Sequence, residues 1–199
     1  MSLLFETIRL EDGAFMNLEF HNGRLNNSRE FHFSTKDQLY LEKLLIVPSN
    51  CRTGMYKCKV SYSSSINEIE IIPYQKRIIK SLRLVKDNTI SYDHKYSDRS
   101  HLLELLAKRG DCDDILIVKN GYITDTSFSN IVFFDGDKWV TPARPLFRGT
   151  MRESLLKTNY IEETDILAND LKKFTIARLV NAMLPFRTAT DIKLQNIRL

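Results

Sequence analysis

The dipeptide Asn120-Gly121 is the feature that most restricts how this chain can fold. Asn-Gly is the strongest short-range signal for a two-residue β-hairpin, because both central residues of the favoured turn take a positive φ. A short apolar run, residues 115–118, precedes it, and residues 122–124 can pair back. The sequence therefore predicts two antiparallel strands around this turn.

Hydrophobic periodicity along the rest of the chain predicts a mixture of strands and helices. Further strands are expected at residues 5–9, 15–20, 55–62, 66–72, 78–85, 131–134, 139–141 and 191–199. Helices are expected at residues 21–28, 37–45, 100–109, 152–157 and 170–177. We therefore predict an α+β fold with a smaller α+β subdomain over residues 1–92 and a larger, β-rich subdomain over residues 93–199.

The composition is ordinary for a soluble globular protein, with 43% hydrophobic and 27% charged residues. The 29 basic and 25 acidic residues give a net charge of +4, an excess that favours anionic ligands and falls short of a nucleic-acid-binding composition. No apolar run approaches the roughly 20 residues that cross a bilayer, and the first residues lack a basic leader. The sequence therefore predicts a cytoplasmic protein that binds neither nucleic acid nor membrane.

The cysteines and histidines do not indicate a metal site. Cys51, Cys58 and Cys112 form no CxxC pair, and the four histidines lack metal-ligand spacing relative to them. We expect free thiols in a reducing compartment and no bound metal.

Polar and glycine-containing segments follow one another in a distinctive order. They are Phe5-Glu6-Thr7-Ile8-Arg9 with His21-Asn22-Gly23-Arg24-Leu25, then Lys95-Tyr96-Ser97-Asp98-Arg99, Asp125-Thr126-Ser127-Phe128-Ser129-Asn130-Ile131, Thr141-Pro142 with Gly149-Thr150-Met151-Arg152, and Asn181-Ala182-Met183-Leu184-Pro185. Each alone is a common local pattern. Together they resemble the class IV aminotransferase family, the fold-type IV enzymes that use pyridoxal 5'-phosphate (PLP) and share a D-amino-acid aminotransferase-like architecture.

The resemblance implies roles for two residues that contact the reactive ring of PLP. Such a site needs a lysine amine for the cofactor aldehyde and a carboxylate facing the pyridine nitrogen. Lys95 is the implied lysine, and it would also move the substrate proton. Asp125 is the implied carboxylate, where the family usually has glutamate. Taken alone, Lys95 is typical of a surface lysine and Asp125 of a turn aspartate.

The remaining implied contacts hold the phosphate or the substrate. Thr150 and Met151 would offer backbone N–H groups at a helix N-terminus, and Arg24 would be a charged donor to the phosphate. Asn181 would lie near the phosphate or the substrate. Local sequence alone equally fits a glycine-capped helix start, a helix-surface arginine and a loop asparagine.

The family contains lyases and aminotransferases, so the fold does not decide the reaction. Asn181-Ala182-Met183-Leu184-Pro185 and the opening strand at residues 5–9 resemble the lyases. The resemblance thus implies conversion of 4-amino-4-deoxychorismate to 4-aminobenzoate and pyruvate, a folate-precursor step, in a homodimer acting on a small amino substrate. The alternatives are an aminotransferase for a D-amino acid or branched-chain amino acid, and a non-catalytic binding module.

Overall fold

The computed structural model describes residues 3–198, so Met1, Ser2 and the predicted end of the last strand at Leu199 lie outside the described residues. The strands are β1 (Leu4–Glu11), β2 (Ala14–Phe15), β3 (Met55–Tyr62), β4 (Ile66–Pro73), β5 (Leu82–Lys86), β6 (Asp114–Lys119), β7 (Tyr122–Thr126), β8 (Asn130–Phe134), β9 (Trp139–Pro142), β10 (Glu162–Thr164), β11 (Ile176–Val180), β12 (Ile192–Lys193) and β13 (Ile197–Arg198). The helices are α1 (Leu18–Phe33), α2 (Leu41–Leu44), α3 (Ser100–Ala107) and α4 (Thr150–Lys157). This mixture confirms the predicted α+β class.

The first of two units comprises the described residues up to Lys76 together with His94–Asp98. Its antiparallel sheet has the order β2-β1-β3-β4. Because successive side chains of a strand point to opposite faces, alternate residues of β1 and β3 form one buried face, which packs with Leu25 of α1 and Leu41 of α2. Ile8 of β1 and Val60 of β3 are fully buried there.

The second unit comprises Arg77–Asp93 and the described residues from Arg99 onward. It contains two sheets, with orders β10-β9-β8-β11-β12 and β13-β5-β6-β7. Leu116 of β6 and Phe133 of β8 belong to one core cluster to which both sheets contribute. The outer faces are covered by helices, since Ile117 of β6 packs with α3 and Val132 of β8 packs with Met151 of α4.

The predicted hairpin at Asn120-Gly121 is confirmed. Both residues have a positive φ, 52° and 85°, and Lys119 pairs with Tyr122 across the turn. Asparagine and glycine are among the few residues that adopt this conformation cheaply. The turn directs β7 back along β6 and so positions Asp125 near the end of β7.

Two predicted elements are wrong, and the strand predicted at residues 191–199 is divided by a 3-10 turn, Leu194–Asn196, into β12 and β13. A strand was expected at residues 15–20, but Asn17 adopts a left-handed conformation with φ of 56° and a helix begins at Leu18. A helix was expected at residues 170–177, but the chain forms a 3-10 turn, Ala168–Lys173, and then strand β11, which pairs with β8. Backbone pairing with a neighbouring strand outweighed local helix preference there.

The two units divide the chain at different places from the predicted boundary between residues 92 and 93. Arg77–Asp93 lies in the second unit because β5 pairs in parallel with β6. His94–Asp98 returns to the first unit, where the Phe5 N–H donates to the Lys95 carbonyl at 3.1 Å. Among residues 3–198, no helix is both long and apolar enough to span a bilayer.

Candidate active site

Lys95 is carried by a segment that is hydrogen-bonded to the first strand of its unit. Its carbonyl accepts from the Phe5 N–H, and the Ser97 N–H donates to the Leu3 carbonyl at 2.9 Å. Tyr96 forms a β-bridge with Leu4. The Lys95 Nζ lies 5.1 Å from the centre of the Phe5 ring, within the range of a cation–π interaction. The backbone on both sides of the lysine is therefore anchored to the sheet.

A buried ionic cluster lies in the same unit, where α1 packs on β1. The Glu6 carboxylate is fully buried and accepts from Arg24 Nε at 2.9 Å and from Arg24 Nη2 at 2.5 Å. His21 Nδ1 lies 2.6 Å from Glu6 Oε2, so this nitrogen carries the proton. Arg24, predicted as a phosphate contact, is thus held in a fixed orientation by Glu6.

The charges in this cluster follow from its pKa shifts. Burial alone would raise the pKa of Glu6, but the Arg24 charge and the hydrogen bonds from His21 and Arg24 lower it to about 2. Burial lowers the pKa of His21, against the effect of Glu6, and the positive charges of Arg24 and Lys95 lower it further. The cluster therefore holds an anionic Glu6, a cationic Arg24 and a neutral His21 at neutral pH.

Glu6→Gln is expected to destabilise the folded chain in a pH-dependent manner. Because the pKa of Glu6 falls from 4.5 to about 2 on folding, its stabilising contribution is complete above pH 4.5 and is lost as the pH falls towards 2. The expected loss in unfolding free energy at pH 7 is roughly 3 kcal/mol. Urea unfolding at several pH values measures it.

The matched control is Glu162→Gln, which removes the exposed ion pair between Glu162 and Lys138. That change is expected to cost much less than Glu6→Gln, because solvent screens exposed pairs. A gap between wild type and Glu6→Gln that stays constant from pH 7 to pH 3 would contradict the assigned ionisation.

Asp125 lies in β7 of the second unit with 5% of its surface exposed. Its Oδ1 accepts from Asn130 Nδ2 at 2.6 Å, and its Oδ2 accepts from the Phe147 N–H at 2.9 Å. Burial raises the pKa of Asp125 to about 6, although the hydrogen bonds from Asn130 and Phe147 and the charge of Arg152 oppose this shift. The carboxylate is thus fixed in position but disfavoured as an anion without a further cationic partner.

The residues predicted to contact the phosphate lie at the start of α4. Gly149 is the N-cap of this helix, and Thr150 and Met151 are its first two residues, with 3% and 7% exposure. The first N–H groups of a helix have no acceptor within it, and they lie at the positive end of the helix dipole. This arrangement suits a phosphate.

Asn181 follows β11 and lies beside the loop that leads from Asp125 into β8. Its Nδ2 donates to Ser129 Oγ at 2.7 Å, and its Oδ1 accepts from the Met183 N–H at 2.8 Å. The pairing of Val180 with Asn130 places it there. Asn181 therefore lies beside the loop that joins β7, which carries Asp125, to β8.

The structure places the predicted residues in two sets, each within its own unit. Lys95 and Arg24 belong to the first unit; Asp125, Thr150, Met151 and Asn181 belong to the second. Glu6, His21 and Asn130 had no predicted role. Glu6 could have been found, since it is the acidic residue within the apolar alternation Leu4, Ile8 and Leu10.

The donor set fits PLP. The carboxylate of Asp125 is contacted by amide N–H donors, so a pyridinium would supply the cationic partner that its burial calls for. The start of α4 suits a phosphate, and Lys95 is the residue whose amine would bind the aldehyde. These three chemistries are the ones that the cofactor needs.

Comparison with known proteins gives a consistent result. A family model described as amino-transferase class IV matches residues 3–192. An uncharacterized protein of Haemophilus influenzae is 37% identical over 182 residues, covering 90% of this chain and 97% of that protein. A crystal structure of a candidate 4-amino-4-deoxychorismate lyase from Haemophilus somnus 129PT has a TM-score of 0.87 and 32% identity, covering 92% of this chain and 97% of that one.

A more distant likeness concerns the fold alone. The PLP-bound form of a hypothetical aminotransferase from Mycobacterium tuberculosis has a TM-score of 0.75 at 18% identity, covering 96% of this chain and 80% of that one. Together with the preceding similarities, it confirms the predicted fold-type IV architecture.

Proposed function

The chain belongs to amino-transferase class IV, a family of PLP-dependent enzymes, and from that premise we propose that it is a lyase converting 4-amino-4-deoxychorismate to 4-aminobenzoate and pyruvate. The observation that favours a lyase over an aminotransferase is the loop after β11. Asn181 fixes its turn, and Met183 and Leu184 are buried, each with 4% exposure. Its sequence, Asn181-Ala182-Met183-Leu184-Pro185, is the segment that resembles the lyases. The likeness to a candidate lyase across 92% of the chain supports the same choice.

The proposed roles divide between binding and proton transfer. PLP, when bound, supplies the electron sink for bond cleavage. Lys95 Nζ would hold the cofactor aldehyde and, once released as a free amine, would remove the substrate proton. Asp125 would keep a proton on the pyridine nitrogen. Loss of pyruvate makes the substrate ring aromatic, so the protein mainly needs to place the base.

The phosphate and the substrate would be held by groups that are already oriented. Thr150 and Met151 would donate backbone N–H groups to the phosphate, with Arg24 as a charged donor. Glu6 holds the Arg24 guanidinium through two hydrogen bonds. Asn181 would contact the substrate or the phosphate from its turn. Such prior orientation lowers the cost of ordering these groups on binding.

A product assay tests the proposed reaction. Purified protein loaded with PLP is given 4-amino-4-deoxychorismate, and pyruvate and 4-aminobenzoate are quantified with and without a 2-keto acid. The expected result is equal amounts of both products without any keto acid. Amino transfer that requires a keto acid, with no pyruvate release, would instead identify an aminotransferase.

Two further properties stay proposals. We propose a homodimer, supported by the exposed apolar residues Phe31 and Ile46 of the first unit, which are 71% and 83% exposed. We also propose a cytoplasmic location, supported by Cys51, Cys58 and Cys112 as free, buried thiols.

A further inference from the structure

Asn130 is a buried amide for which no role was predicted. It begins β8, is 5% exposed, and lies between Asp125 and the turn before α4. We propose that Asn130 is a positioning residue that ties the Asp125 carboxylate to the turn 147–149, so that the pyridine and phosphate contacts of the cofactor form as one unit. The proposal rests on the PLP site proposed above.

Three hydrogen bonds connect Asn130 to both parts of the site. Its Nδ2 donates to Asp125 Oδ1 at 2.6 Å and to the Phe147 carbonyl at 2.7 Å, and its Oδ1 accepts from the Gly149 N–H at 3.1 Å. The Phe147 N–H closes the ring by donating to Asp125 Oδ2 at 2.9 Å. The carboxylate and the turn therefore cannot shift independently without breaking a buried hydrogen bond.

Only an amide can make all three hydrogen bonds, and only in one of its two orientations. Turning the side chain over would set its NH2 group against the Gly149 N–H and its oxygen against the Asp125 and Phe147 oxygens. Aspartate at position 130 would place two carboxylates in contact, and one of them would have to take up a proton. Alanine would remove all three bonds.

The identity of residue 149 supports the same contact. Its φ of −75° and ψ of 143° are open to any residue, so its backbone conformation does not require glycine. A Cβ at this position would collide with Asn130 Oδ1. Glycine is therefore needed so that the turn can approach the asparagine closely, which is the contact that the proposal uses.

The side chain is not needed to build the strand. The backbone of Asn130 pairs with Val180 in the β8–β11 ladder, and this pairing survives truncation of the side chain. Asn130→Ala is thus expected to fold and to bind cofactor in a less ordered site.

The first test compares PLP with pyridoxal, the same ring without the phosphate, by absorbance titration near ~410 nm. Asn130→Ala is expected to weaken pyridoxal about 10-fold and PLP about 100-fold, because it disturbs both the carboxylate and the phosphate turn. In an Asp125→Asn background the pyridoxal loss should fall below about 3-fold. An unchanged PLP-to-pyridoxal ratio, or equal losses in both backgrounds, overturns the proposal.

Thr124→Val is the matched control in the neighbouring strand. It removes one buried hydrogen bond, which Thr124 Oγ1 donates to the Ile117 carbonyl at 3.1 Å and which involves neither the Asp125 carboxylate nor the turn. Its affinities for both compounds are expected to equal those of wild type. Equal loss of affinity in Thr124→Val and Asn130→Ala would show a general loss of stability and would count against the proposal.

A cofactor-free readout separates this proposal from the proposed function. NMR titration should show the Asp125 carboxyl with a midpoint near the pKa of about 6, and the Gly149 amide shift following it in wild type but not in Asn130→Ala. The positive charge of Arg152 lowers the pKa of Asp125, and Arg152 is present in both proteins. If wild type binds no PLP but shows this coupling, the proposed function is refuted, and the proposed link through Asn130 between Asp125 and the turn is supported. If the Gly149 amide shift in wild type does not change as Asp125 titrates, the proposed link is overturned.

Discussion

Lys95→Ala is expected to reduce turnover by about 10³-fold or more, because it removes both the amine that holds the cofactor and the base that moves the substrate proton. PLP added to this variant should give no band near ~410 nm that borohydride fixes. Arg24 and the start of α4 are untouched, so weak, non-covalent binding of PLP should persist. Absorbance spectra before and after borohydride, with a pyruvate assay, measure both effects.

Lys59→Ala is the matched control for this experiment. Its Nζ lies 5.8 Å from the centre of the Phe5 ring, close to the 5.1 Å of Lys95, so both lysines share one aromatic neighbour. Lys59→Ala is expected to keep the band and the activity. A borohydride-fixed adduct in Lys95→Ala would mean that another lysine holds the cofactor.

Asp125→Asn is expected to lower turnover about 10²- to 10³-fold while the borohydride-fixed adduct still forms. Lys95 is intact in this variant, but a neutral amide would not stabilise a charged pyridine nitrogen, and the electron sink is weakened. Steady-state pyruvate release measures turnover. The matched control is Asp135→Asn in an exposed turn, where Asp135 Oδ1 accepts from the Asp137 and Lys138 N–H groups. This change should leave turnover unchanged. Equal turnover in Asp125→Asn and wild type would remove Asp125 from the site.

The same variant should change how stability depends on pH. The pKa of Asp125 rises from 3.8 to about 6 on folding, so the folded cofactor-free chain binds this proton more tightly than the unfolded chain does. Its ionisation therefore destabilises the fold above pH 6, by roughly 3 kcal/mol, and this penalty fades as the pH falls from 6 towards 3.8. Asp125→Asn should lack this dependence.

Some of the fold followed directly from local chemistry. Asn120-Gly121 could only be a tight turn, and the alternation in residues 55–62 matched β3 at both ends. The start of α1 was missed because Asn17 adopts a left-handed conformation that ends the extended segment, and nothing in the local periodicity marks it. Strand β11 was missed because its pairing with β8 joins residues that are far apart in sequence.

Only the candidate site residues that lie in recognisable motifs could be predicted. Lys95, Asp125 and the Gly149 turn stand in recognisable segments, but their surroundings depend on which residues the fold brings into contact. Glu6 meets Arg24 because β1 and α1 pack together, and Asn130 meets Gly149 across 19 residues of sequence. Spacing along the chain carries no signal for either contact.

The most direct test of the central claim is to locate the cofactor on the protein. Wild-type protein is incubated with PLP, reduced with borohydride, digested with trypsin and analysed by mass spectrometry. The account predicts one adduct, on a peptide spanning residues 87–99, in which modified Lys95 is no longer cleaved. An adduct confined to other lysines, or no adduct under conditions that saturate the protein with PLP, would contradict it.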